Sequence, residues 1–182
     1  MKEFLKLMLV PTAICVACAA LLAYVYGVTK APIAEGAAKR ELAAAAELLG
    51  SGSAEKVSTP DGAVSGFIVR DAASGAVSGL AVQGFSEHGY GGNLRILAAF
   101  GPDGRVLEYK VLEISETPGL GSKIDKDFMH ERVRNAPHPA NWNVTKDGGD
   151  IEAVTAATIS SRALMEALRD AQSNRETLLS SL

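Results

Sequence analysis

Residues 93–114 read NLRILAAFGPDGRVLEYKVLEI, two β-prone runs either side of Gly101-Pro102-Asp103-Gly104. A turn-forming tetrapeptide between two such runs is the signature of an antiparallel hairpin. In the first run Leu94, Ile96, Ala98 and Phe100 alternate onto one face. In the second, Leu107, Tyr109 and Val111 oppose Glu108 and Lys110. This period of two predicts a sheet packed on one face and solvated on the other. Upstream, Val64–Arg70 and Val77–Phe85 are two further short strands, joined by the turn-rich stretch Asp71–Ala76.

Helical patterns flank the strands. Asp125–Arg134 reads as a short helix, followed by an irregular stretch Asn135–Asn143 with two prolines. Ile159, Ala163, Leu164, Ala167, Leu168 and Ala171 keep helical spacing, so a terminal helix is expected just after Thr158, with Ser160 and Ser161 available as caps. Residues 31–50 are alanine-rich, with Pro32 near the start and Gly50 as a stop, which predicts a stalk helix. The loop Ser51-Gly52-Ser53 follows it.

From Leu7 to Thr29 the chain reads LMLVPTAICVACAALLAYVYGVT, with no charged side chain. At 1.5 Å per residue this helix is roughly 33 Å long, enough to cross a hydrocarbon core. Pro11 is expected in its first turn. Ala17-Cys18-Ala19 offers a nominal signal-peptidase site, but the apolar run continues well past it, which favours a retained anchor. Lys2 and Lys6 before the span favour a cytoplasmic N-terminus, and Lys30, Lys39 and Arg40 after it blur that rule. Cys15 and Cys18 lie inside the span without further cysteines, and read as small thiols of a membrane helix. The resulting class is α+β: an antiparallel sheet with packed helices on a single N-terminal transmembrane helix. The expected organisation is a cytoplasmic tail and anchor over 1–30, a helical stalk and linker over 31–60, and a domain over 61–182.

Composition excludes several functions. The 182 residues carry 18 Lys and Arg against 21 Asp and Glu, a net charge of −3, and 5% are aromatic. Nucleic-acid binders carry a basic excess and stacking aromatics, so no nucleic-acid partner is expected. His88, His130 and His138 show no ligand spacing, so no metal is expected, and no nucleophile–base constellation marks a catalytic residue.

Two stretches are unlike ordinary packing. Glu116-Thr117-Pro118-Gly119-Leu120-Gly121 follows a strand, and its glycines permit close approach of backbone to a ligand. Thr155-Ala156-Ala157-Thr158-Ile159-Ser160-Ser161 places four hydroxyls at the mouth of the terminal helix, where unpaired N–H groups and the helix dipole favour an anion such as phosphate. Together with Gly89-Tyr90-Gly91-Gly92 these stretches resemble the FMN-binding domain of the G subunit in Rnf-type ion-translocating ferredoxin:NAD oxidoreductases. The C subunit of sodium-translocating NADH:quinone reductases shares the pattern.

That resemblance implies FMN attached covalently by a phosphoester to a threonine in a motif like D-x-x-[S/T]-G-A-T. It aligns with Glu152–Thr158 and makes Thr158 the acceptor, with Glu152 in place of the usual Asp and Ala156 in place of the usual Gly. It further implies that Glu116, Thr117, Gly119 and Leu120 line the isoalloxazine, and that Thr155, Ala157, Ser160, Tyr90 and Gly91 contribute to the cofactor pocket. The implied function is a membrane-anchored electron carrier of the inner membrane, single-pass, with its C-terminal domain extracytoplasmic. Its implied partners are the membrane and redox subunits of the complex, membrane lipid, and a flavin transferase for maturation. A quinone-reductase-type or stand-alone extracytoplasmic flavoprotein, a non-redox assembly subunit with a decayed motif, and a secreted ligand-binding module remain open on sequence alone.

Overall fold

The structure, a computed structural model, describes residues 2–50, 54–60, 62, 64–70 and 77–181. The expected turns at 51–53 and 71–76 lie outside these residues. The elements are α1 (Lys2–Leu49), β1 (Glu55–Ser58), β2 (Ser65–Arg70), β3 (Val77–Ser86), β4 (Leu94–Phe100), β5 (Val106–Ile114), α2 (Asp127–Arg134) and α3 (Thr158–Ser180). Short 3₁₀ turns cover Gly121–Asp125 and Thr145–Asp147.

The anchor and the stalk are one helix. Both Pro11 and Pro32 lie inside α1, not at helix starts as the sequence predicts. Two compact units divide the chain within it, Met1–Arg40 and Glu41–Leu182. In the first, the apolar side chains from Leu7 to Val28 face outward, Leu7 at 76% and Leu22 at 70% exposure. Lys39 pairs with Glu35 one turn earlier at 2.8 Å.

In the second unit the five strands form an antiparallel meander in the order β1-β2-β3-β4-β5. The predicted hairpin joins β4 and β5, with Gly101 N–H donating to Arg105 O and Gly104 N–H to Gly101 O. Strand β1 falls in what reads as linker. Its four residues EKVS show no apolar alternation, and pairing with β2 defines it.

Both faces of the central strands are covered, which corrects the expectation of one solvated face. Leu94, Ile96, Ala98 and Phe100 do share a face, and it packs on Leu164, Leu168 and Ala171 of α3. Leu97, Phe67 and Ala81 point the other way and are buried with Ala44 and Ala45 of α1. Strand β5 departs from strict alternation for a local reason. Phe100 pairs with Val106 and Ala99 with Glu108, so Leu107 is a bulge residue. A bulge inserts one residue and resets the pleat, leaving Leu107 half exposed while Tyr109 is buried.

Helix α3 lies close against β3 because Gly84 has no side chain. A Cβ there would stand 2.0 Å from the carbonyl oxygen of Ala167. The two elements run antiparallel: Asn174 donates to Gln83 O, Asp170 accepts from Phe85 N, and Glu166 accepts from the Ser86 hydroxyl. Continuing that register brings the loop after β3, Glu87–Asn93, beside the first turns of α3.

Candidate flavin site

Glu116 is the junction of this region. Its Oε1 accepts a 2.8 Å hydrogen bond from the backbone N–H of Tyr90. Its Oε2 is buried and has no hydrogen-bond partner. Two glycines make room for this carboxylate: a Cβ on Gly89 would lie 2.8 Å from Oε1, and one on Gly121 would lie 2.3 Å from Oε2 and 2.7 Å from Ser160 Oγ. Gly91 lies closer still to its neighbour, its Cβ position 1.6 Å from Ser115 O. The glycine loop, the segment 115–121 and the first turn of α3 therefore meet around one side chain.

The turn 117–120 projects outward from that junction. Leu120 N–H donates to Thr117 O, Gly119 N–H to Ser122 Oγ, and Gly119 holds φ +80°. Leu120 is 46% and Tyr90 70% exposed.

Helix α3 starts at Thr158 itself, after Ala157, whose side chain can offer no cap hydrogen bond. Ser160 and Ser161 do not cap it, contrary to expectation, because they are the third and fourth residues of the helix, beyond the cap position, and both are buried. Ser161 Oγ accepts from Val154 N–H and donates to Ala157 O, locking the turn that leads into the helix. Ser160 packs on Gly121. Of the four hydroxyls, Thr155 is exposed and Thr158 half-buried. The first turn beside Thr158 thus has no side-chain cap.

Ala156 sits at φ +64°, in the left-handed region that a β-carbon disfavours. The Gly-to-Ala departure in the motif therefore falls where glycine is the unstrained residue. Glu152 places its carboxylate 2.6 Å from Arg132 Nη2, while Arg132 Nη1 donates to Glu152 O at 2.9 Å. The extra methylene of Glu152 spans the gap to α2. Arg132, Arg162 and Asp147 were missed in sequence. Only Arg162, four residues after Thr158, left a signal there.

A second polar group borders the loop. The Ser86 hydroxyl and His88 Nδ1 both contact Glu166, at 2.6 and 2.8 Å to Oε2. The Ser86 hydrogen bond, with His88 beside it, holds the Glu166 carboxyl below the usual carboxylate range.

FMN suits this arrangement on the observations themselves. The glycine cradle around Glu116 lacks space for a β-carbon, a buried carboxylate oxygen stands without a donor, and uncapped N–H groups lie beside a threonine hydroxyl. Anionic phosphate is stabilised at such a helix start.

Residues 89–173 match the FMN-binding domain family. The G subunit of an ion-translocating oxidoreductase complex from Aliivibrio fischeri is 39% identical over 105 residues, 54% of this chain and 50% of that one. Its counterpart in Cereibacter sphaeroides is 36% identical over 162 residues, 81% of this chain and 73% of the relative. The chain thus spans half the length of the first relative and nearly three quarters of the second. The crystal structure of Shewanella oneidensis NqrC aligns at a TM-score of 0.45 and 22% identity, over 58% of this chain and 53% of that one. With 36% identity sustained across 73% of a relative, the chain belongs to the family formed by the G subunits of ion-translocating oxidoreductase complexes, and residues 89–173 are its FMN-binding domain.

Proposed function

We propose that this protein is a membrane-anchored flavoprotein subunit that carries electrons through FMN bound covalently to Thr158. The observation that carries this reading is the position of Thr158, a half-buried hydroxyl at the start of α3 whose preceding residue provides no side-chain cap. Attachment forms a bond from Thr158 Oγ to the flavin phosphorus. A phosphoanhydride of the flavin-nucleotide donor breaks, and the hydroxyl proton leaves with the displaced phosphate. A flavin transferase is the enzyme class this step needs.

When bound, FMN supplies reversible electron uptake and release; the protein supplies place and surroundings. The first-turn N–H groups of α3, which no side chain caps, would be the donors available to the phosphate, and the helix dipole would offset its charge. Glu116 holds the Tyr90–Gly91 loop in place. Tyr90, Thr117, Gly119 and Leu120 offer the surface for the isoalloxazine, with Leu120 and Tyr90 supplying apolar area. Thr155 and Ala157 shape the turn that presents Thr158, and Ser160 closes the floor against Gly121.

The apolar part of α1 is long enough to span a bilayer, and we assign it as a single-pass anchor in the inner membrane, in contact with lipid. The domain beyond it is then extracytoplasmic. The names of the relatives place them in ion-translocating oxidoreductase complexes. On that basis the partners are the other redox and membrane subunits of such a complex, and the resemblance to Rnf-type subunits makes ferredoxin and NAD the couple it serves. The span Leu7–Thr29 has no charged side chain for an ion path, so translocation is assigned to those partners.

Intact mass of the denatured full chain, co-expressed with a flavin transferase, tests the reading. The expected result is an increment of one FMN less one water, lost in Thr158→Ala. Unmodified wild-type protein would overturn it and favour an assembly role.

A further inference from the structure

Arg162 lies one helical turn after Thr158, and residues four apart on a helix share a face at about 5–6 Å between side-chain bases. Its guanidinium is held in a fork by Asp147 on the 3₁₀ turn Thr145–Asp147: Nε to Oδ2 is 2.6 Å and Nη2 to Oδ1 is 2.8 Å. A guanidinium has five N–H donors, and this carboxylate takes two. The remaining ones include both on Nη1. Arg162, Met165 and Arg169 continue the Thr158 face and, with His88 and Asp147, border an open cavity of about 230 Å³.

Two other arginines of this region are placed differently, and Lys146, next to Asp147 on the 3₁₀ turn, is an ammonium without a planar fork. Arg132 is tied at both Nη atoms to Glu152. Arg169 donates to Asn143 Oδ1 and lies eleven residues, about 16 Å of helix, beyond Thr158. Asp147 itself is an anion on this side of the site, so an added phosphodiester there needs a cation between the two.

We propose that Arg162, oriented by Asp147, donates its remaining N–H groups to the phosphodiester formed at Thr158. Asp147 acts as a positioning residue: its carboxylate sets the plane of the fork so that Nη1 faces the phosphate. Guanidinium and phosphate match as planar donor fork and paired acceptors, which an ammonium group does not reproduce. This rests on the reading of Thr158 as the attachment point.

Phosphorus-31 NMR on the flavinylated full chain in detergent, together with the initial rate of FMN incorporation by a flavin transferase, tests it. Arg162→Gln should move the phosphorus resonance and slow incorporation roughly tenfold. Arg162→Lys should restore the rate only in part, and Asp147→Asn should have a smaller effect than Arg162→Gln. An unmoved resonance with a wild-type rate in Arg162→Gln would overturn the proposal. So would equal effects of Asp147→Asn and Arg162→Gln, since both break the same ion pair. Absence of the mass increment in wild-type protein would instead remove the Thr158 reading, and this proposal with it.

Discussion

The backbone N–H of Tyr90 and the carboxylate of Glu116 are joined by a 2.8 Å hydrogen bond across 26 positions of sequence. This bond is how the end of β3 and the end of β5 come to share one site. A loop of Gly89, Gly91 and Gly92 has little of its own to hold it in shape. The carboxylate supplies an acceptor from outside, and the missing β-carbons of Gly89 and Gly121 let it reach inward.

Glu116→Ala should therefore destabilise the domain by about 0.5–1.5 kcal/mol, the net worth of a hydrogen bond whose exposed donor turns to water when the acceptor is removed. Glu116→Gln keeps an acceptor oxygen for Tyr90 N–H and should cost clearly less. Urea unfolding followed by the fluorescence of Trp142, the single tryptophan, measures both. Equal losses in the two variants would show that Glu116 acts by volume alone.

Ala156 is the described non-glycine residue with positive φ, in the turn that presents Thr158. Relief of the left-handed strain is worth roughly 1–2 kcal/mol, and the greater freedom of glycine in the unfolded chain returns part of it. Ala156→Gly should raise stability by about 0.5–1 kcal/mol in the same unfolding experiment. Ala156→Val, with branching at Cβ, should lower it. A destabilised Ala156→Gly would mean that the turn relaxes away from φ +64° in solution.

His130 stacks on Tyr109 with ring centroids 4.2 Å apart. Asp125 lies 3.4 Å from its Nε2 and Glu108 2.6 Å from its Nδ1, with Arg134 3.7 Å from the other Glu108 oxygen. Asp125 and then Glu108 hold the imidazole above its ordinary pKa, against the opposing effect of burial. A raised folded-state pKa stabilises the protonated form. That contribution is complete below the unfolded value of about 6.5 and is lost as pH rises through the folded one. The melting temperature should fall as pH is raised from about 6 into the alkaline range. His130→Gln should flatten this slope. An unchanged slope in the variant would assign the pH dependence to other groups.

Much of this was legible in sequence wherever the information is local. The hairpin at Gly101–Gly104 declares itself through turn chemistry, and α3 through the spacing of Ile159 to Ala171. What was illegible depends on pairing across distance. Strand β1 exists because β2 offers it an edge, and the burial of Leu97 depends on Ala44 and Ala45, some fifty positions away. The bulge at Leu107 is a property of two strands together, so alternation within one could not reveal it. At the site, the motif pointed to Thr158 and to position 156. The strut role of Glu116 and the Arg132–Glu152 tie required the folded chain.

Gly91 and Gly119 separate two reasons for glycine. At Gly119, φ is +80° and the space around a β-carbon is empty, so Gly119→Ala should cost only left-handed strain, about 1 kcal/mol. At Gly91 the torsion is ordinary, but a β-carbon would fall 1.6 Å from the carbonyl oxygen of Ser115. That atom is backbone and cannot rotate away, so the loop must lift off β5 and take the Tyr90–Glu116 bond with it. Gly91→Ala should cost about 3 kcal/mol, the upper range for overpacking, and should slow FMN incorporation where Gly119→Ala leaves the junction at Glu116 intact. Equal costs at the two positions would show that close approach to Ser115 is not what fixes glycine in this loop.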